Sequence, residues 1–442
     1  MLNFFGFVGL TAYGGKRYNE RVAAMANGTL VDAGATMLDT VELLDIAGAV
    51  AVGAGVSLVF AILWLFLARR FAKGLIYATI LANVLVYFLI AGAWAYFAST
   101  QTQAAGDEGH MIYFAVVWAI IGLLHLCLFF LWRRRIPFAA AMLSTVSSVT
   151  VQYSGTVVAS FLSLIPVLGW SALWAFSVIV NFSWMQASLN NGTGSAGLYA
   201  IYVYLLFSFY WVQQVIQNTI FVTISGTFAS WYFLGGNRAA MPRNPTAGAA
   251  KRALTTSFGS IAFGSLLVAV LQTIRAILRS MRNRRAYLLI CLIDCLLSCI
   301  ETLVRMFNKY AFVVVAIWGK SYCGAAKDTV RLIGSHGITA IINDSIVGNV
   351  LSFGCLFGGL LGMGASALAG LAIINTSVVG AWILLAPALI GFFIGFVVMA
   401  QCMMVIDAGV ATVFVAYAVE PAALAGNDPQ LAQHFQATQN LI

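Results

Sequence analysis

Between residues 198 and 233 an apolar stretch carries Tyr204, Phe207, Trp211, Gln214, Asn218 and Ser225. At 100° per residue these six fall within a helical sector of about 80°. One face thus presents three aromatic rings and then three hydrogen-bonding groups. Ring faces attract quaternary ammonium ions through their quadrupole, by roughly 0.5–2 kcal/mol each. Two or three such rings can hold a trimethylammonium group without a full counter-charge. Inside a membrane, a polar face of this kind should point into a helix bundle or a wet cavity. The same pattern also suits interfacial anchoring and core filling, common uses of aromatics on membrane helices. Both readings stand on the residues alone.

Ionisable residues within apolar segments are the second source of candidate chemistry. Each is costly in hydrocarbon and tends to face a cavity or a partner. They are Asp45, Asp294, Glu301, Arg305 and Asp407. Glu301 and Arg305 are four apart and placed to pair along one helix; Glu301 is therefore assigned to a gate or a packing contact. Asp407, toward the cytosolic end of its segment, is assigned to the same pair of roles, with cation attraction as the other reading. Asp294 has no evident partner.

Enzyme constellations are missing. The four histidines, His110, His125, His336 and His434, are far apart and show no paired metal-ligand spacing. No phosphate-cradling Gly-x-x-x-x-Gly-Lys-Ser/Thr run occurs. Ser225 and Ser265 have no histidine or acid within helical reach. The chain reads as a non-enzyme with no catalytic set, no metal site and no cofactor.

The elements that must position these residues are membrane helices. Hydrophobic residues make up 62% and charged residues 8% of the chain, a charge deficit of about threefold against soluble proteins. Mean hydropathy is +0.94. Apolar segments long enough to span a bilayer recur near 45–68, 74–97, 111–132, 156–186, 198–233, 257–278, 287–318, 345–374 and 378–417. Lipid leaves backbone groups no water to bond, so such segments are helices. The expected fold is an all-α polytopic bundle of about nine to ten membrane segments.

The net charge of +9 is confined to certain loops. Basic residues cluster at Arg69 to Lys73, Arg133 to Arg135, Arg238 to Arg252 and Arg275 to Arg285, whereas 98–110, 187–197 and 375–377 have none. That alternation orients the basic loops and the C-terminus to the cytosol and argues against a nucleic-acid partner. Asn27-Gly28-Thr29 and Asn191-Gly192-Thr193 then fall outside as glycosylation acceptors. Between 253 and 345 the apolar pieces have basic flanks at both ends, which predicts a re-entrant pair or helices lying along the surface. Gly354, Gly358, Gly362, Ser366 and Gly370 form a small-residue stripe, read as tight helix packing, with a sliding surface as the alternative. Residues 1–43 read as a truncated first span and short outer segment, 44–420 as the membrane domain, and 421–442 as a polar, loosely ordered cytosolic tail.

Several blocks in order resemble one family of membrane proteins. They are Tyr210 to Asn218, Thr223-Ile224-Ser225-Gly226, Trp231-Tyr232-Phe233, Phe258 to Leu266, Asn308-Lys309-Tyr310-Ala311, Ala316 to Cys323, Ala326-Lys327-Asp328 and Val405-Ile406-Asp407. On these the chain resembles the choline transporter-like family, in its fungal and protist branch, from about Leu44 to Glu420. The resemblance implies a plasma-membrane or organellar carrier that moves choline, or ethanolamine, by alternating access. Taken with the helical geometry, it favours the cavity reading, with a substrate cage of Tyr204, Phe207, Trp211, Gln214 and Asn218 and with Trp318 opposite. Relatives carry tyrosine at the Trp318 position, so a hydroxyl is lost there while the ring is kept. The implied partners are a choline-like cation and membrane lipids; oligomeric state is not legible. Two other readings are a non-transporting scaffold or lipid-handling protein of the same fold, and a carrier of a different solute.

Overall fold

A computed structural model describes residues 43–100, 108–190, 196–236, 239–280, 287–373 and 384–439. Asn27, Asn191 and the apolar start of the chain lie outside these residues. Every described element is a helix: α1 Leu43–Arg70, α2 Ala72–Thr100, α3 Glu108–Trp132, α4 Ile136–Gln152, α5 Gly155–Leu162, α6 Leu164–Asn190, α7 Ala196–Leu234, α8 Pro245–Leu254, α9 Phe258–Ser280, α10 Tyr287–Trp318, α11 Tyr322–Ile373, α12 Leu385–Val419, α13 Pro421–Asn427 and α14 Pro429–Gln439.

Eight stretches among the described residues are long and apolar enough to cross a membrane: Asp45–Arg70, Ala72–Thr100, Ile112–Trp132, Gly155–Asn181, Tyr199–Leu234, Phe258–Ser280, Asp344–Ile373 and Leu385–Val419. They match the expected segments apart from 287–318. That segment is helix α10, which carries Asp294, Glu301 and Arg305 along its length. The polytopic all-α architecture stands, with α10 and the short apolar helix α4 beside the eight.

The chain divides into two compact units. The first takes in Tyr153–Trp231 and Asn237–Ser335. Here α5 meets α6 and α8, and α9 pairs with α10. Helix α8 starts where Asn244 accepts the Ala247 amide at 3.3 Å and Pro245 takes the first turn, since neither side chain leaves an amide unsatisfied there. Between α10 and α11 the chain reverses at Gly319, whose φ of 62° is open to glycine at little strain.

The second unit comprises Leu44–Gln152, Tyr232–Gly236 and His336–Ile442. Helices α2 and α3 lie against each other through ring pairs, among them Tyr87–Trp118 and Trp94–Phe114, stacked at 5.9 and 5.3 Å. The small-residue stripe of α11 lets α12 and α1 approach to backbone contact. A methyl group at Gly362 would fall 2.5 Å from the Gly391 carbonyl, and one at Gly395 would fall 2.5 Å from the Gly358 carbonyl. The Ser57 hydroxyl reaches the Gly358 carbonyl at 3.0 Å.

The region after Glu420 departs from the expected loose tail. It forms α13 and α14, with Leu424, Leu431 and Phe435 buried. Phe435 stacks on Tyr417 at 3.9 Å and meets Phe138 of α4 edge-on at 4.7 Å. Asp428 caps α14 through the Leu431 amide and accepts from Thr145 of α4 at 2.7 Å. Three apolar side chains at helical spacing suffice to dock a segment that is polar on average.

Candidate functional site

The predicted cage residues of α7 lie in the first unit. Tyr204, Phe207, Trp211, Gln214 and Asn218 are all half-buried along this helix. Two of them are engaged with α9. The Trp211 indole donates to the Ala262 carbonyl at 3.0 Å, and the Asn218 amide donates to the Ser265 hydroxyl at 2.8 Å. Another side of α7 meets α6, where Gln213 donates to Ser171 at 2.7 Å and the Trp174 indole donates to the Leu205 carbonyl at 2.8 Å. The polar face therefore points into protein. Its rings remain arranged as a wall, with Phe207 and Trp211 tilted at 31° and their centroids 5.6 Å apart. An indole fixed through its N–H keeps its π-face available to a cation.

Trp318, the predicted sixth member of the cage, lies on α10. It closes α10, is 39% exposed, and has the Lys320 ammonium 5.9 Å from its ring centroid. Helix α10 meets α9 at Asn308, beside the level of Ser265. Trp318 lies ten residues, about 15 Å, further along that helix. Lys320 also donates to Asp328 at 2.6 Å and holds that carboxyl below the usual carboxylate range. The turn at Gly319 is thus clipped by charges from its own segment.

A polar knot that the residue types alone did not reveal joins α9, α10 and the start of α11. The Asn308 amide donates to the Gly264 carbonyl at 2.9 Å, and the Tyr322 hydroxyl donates to the Asn308 side-chain oxygen. Gly264 makes room for it: a methyl there would fall 2.5 Å from the Tyr322 ring and 2.7 Å from Phe312. Burial pushes the Tyr322 phenol up to about 12, so it remains a donor across neutral pH. With Asn218 bonded to Ser265, next to Gly264, polar contacts run without a gap from α7 through α9 and α10 to α11. Asn308, ahead of the apolar run 311–317, was the available signal.

The charged residues of α10 also find partners. Asp294, expected to lack one, accepts from Arg275 at 2.9 Å and from Arg279 at 3.0 Å, both on α9. Glu301 accepts from Arg305 at 2.8 Å, four residues on, and pairs with Arg275 as well. Sequence spacing showed the local pair and missed the interhelical ones. Asp407 sits in the second unit, half-buried in α12 between the buried Ile406 and Ala408. Among the described residues no group of three or more histidine, cysteine or acidic side chains could hold a metal ion.

Comparison with known proteins adds to this geometry. Residues 116–422 match the family described as plasma-membrane choline transporter. A CTL-like protein of Dictyostelium discoideum is 33% identical over 395 residues, covering 87% of this chain and 65% of the relative. The protein PNS1 of Gibberella zeae is 34% identical over 393 residues, covering 85% of this chain and 70% of the relative. Its namesake in Cryptococcus neoformans is 33% identical over 452 residues, covering 96% and 76%. The chain spans about two thirds of the length of the Dictyostelium relative.

Proposed function

The chain belongs to the choline transporter-like family, and on that premise we propose that it carries choline, or a related amine such as ethanolamine, across a membrane. The observation that supports this reading most is the paired wall of Phe207 and Trp211, half-buried along α7. The Trp211 N–H is spent on Ala262, which leaves the ring face to meet a trimethylammonium group. Tyr204, Gln214 and Asn218 flank the wall on the same side of α7.

Choline is a monovalent cation and gains about 2.3 kcal/mol per 100 mV of inside-negative potential. Facilitated passage by alternating access therefore concentrates it without a coupled ion. In this scheme the plasma membrane is the site of action and the basic loops and C-terminal helices face the cytosol. Asp407 and Glu301 serve closure or packing and do not bind substrate.

Radiolabelled choline flux into proteoliposomes, competed with ethanolamine, tests the proposal. Trp211→Ala should lower flux about tenfold, in line with the loss of one strong ring contact. Trp211→Phe keeps a ring and should retain intermediate flux. Unchanged flux in Trp211→Ala at equal reconstituted amounts would overturn the cage. A second reading, a non-transporting scaffold, draws on the bonds that tie Trp211 and Asn218 to α9. It requires that the intact protein move neither amine.

A further inference from the structure

Helix α10 divides its charged and apolar side chains between two sides. Toward α9, Asp294 and Glu301 both accept from Arg275, and Asp294 accepts from Arg279 as well. At 100° per residue, Leu292, Cys295, Leu296, Cys299, Ile300 and Leu303 fall within a sector of about 140°, centred opposite those two carboxylates. Burial agrees with the spacing. Leu292, Leu296 and Leu303 are 59%, 57% and 60% exposed, Ile300 is 47% exposed, and Cys295 and Cys299 are both exposed. Cys291, which the same rotation sets nearer to Asp294, is half-buried.

The two exposed thiols also lie toward one end of the helix. Arg279 bonds Asp294 from the last turn of α9, which ends at Ser280. Cys295 therefore sits near the connected end of the α9–α10 hairpin, and Cys299 lies about 6 Å further along. The connecting sequence carries Arg282, Arg284 and Arg285, which turns this end to the cytosol in the orientation proposed above. Thiols on the apolar side of an amphipathic helix beside the inner boundary are suited to S-acylation. We propose that Cys295 and Cys299 are S-acylated by transfer from a long-chain acyl-coenzyme A. Each thiolate attacks the acyl carbonyl, and a carbon–sulfur bond to the protein forms as the bond to the coenzyme sulfur breaks. The cysteine proton ends on the released coenzyme thiol. The acyl chains then run along the leucine stripe, while the charged seam stays against α9. The proposal rests on the orientation of the basic loops and is independent of the solute carried.

Acyl exchange on the full chain, taken from eukaryotic cell membranes, tests this. Free thiols are blocked with N-ethylmaleimide, and thioesters are then opened with neutral hydroxylamine. The thiols released are counted as gel shifts after reaction with a polyethylene glycol maleimide. The protein should carry two tags, both dependent on hydroxylamine. Cys295→Ser and Cys299→Ser should each leave one tag, and the double variant none. Retention of one tag by each single variant also shows that the substitutions leave the protein folded and delivered to the membrane. Cys127→Ser and Cys323→Ser, which remove other exposed thiols, should leave both tags. The proposal is overturned if the protein takes no hydroxylamine-dependent tag, if tags persist in the double variant, or if Cys127→Ser or Cys323→Ser loses one.

Discussion

Around Asn218 and Asn308, helices meet through amides, a phenol and guanidinium groups; around Gly362 they meet through little more than backbone. Lipid tails are as apolar as leucine, so hydrophobic burial hardly drives helix association in either place. The first region uses directional bonds, which fix register and leave ring faces oriented. The second uses close approach along Gly354, Gly358 and Gly362, where dispersion and the Ser57 hydroxyl supply the attraction. A region built on polar groups can present chemistry to a solute. A region built on absent side chains can only pack or slide. That difference is the physical reason for seeking the substrate beside α7.

Adding one methyl group to each region tests the contrast. Gly362→Ala should be the more damaging, by about 3 kcal/mol, because the atoms in the way include the Gly391 carbonyl, which cannot rotate aside. Gly264→Ala meets the Tyr322 and Phe312 rings and should cost about 2 kcal/mol, since rings can give ground. Unfolding by sodium dodecyl sulfate titration in mixed micelles compares them, and the reverse order would break the distinction.

Tyr322→Phe removes one bond of the knot and should cost about 1 kcal/mol at neutral pH. The folded phenol titrates at about 12 against an ordinary 10.0, so its contribution is whole below pH 10 and fades as the pH rises toward 12. The variant should lack that part of the alkaline loss in the same titration. Asn218→Ala should have the smallest effect on stability, about 0.6 kcal/mol, typical of a single interhelical bond in a membrane protein. If it instead cost as much as Gly362→Ala, the polar region would owe its cohesion to that one amide.

Much of the fold was legible because its causes are local. Long apolar runs with few charges can only be membrane helices, and a four-residue glycine period announces a close helix contact. The face of α7 was legible for the same reason, through its 3.6-residue period. What escaped depends on which helices meet. Asp294 gained its partners from Arg275 and Arg279, 19 and 15 residues upstream on α9, a pairing that no spacing rule along one helix contains. Trp318 and Lys320 are two apart and would point away from each other in a helix. The left-handed turn at Gly319 brings them together. Leu424, Leu431 and Phe435 carried a helical period that the polar average of their segment concealed.

The α11 stripe has one more consequence. Its small residues recur once per turn, so a displacement of four residues, about 6 Å along the axis, returns an equivalent surface to the same neighbours. Ser57 would meet another main-chain oxygen after the step, as every turn of a helix offers one. A stripe of this kind is the surface along which a one-turn ratchet of one helix past another would run.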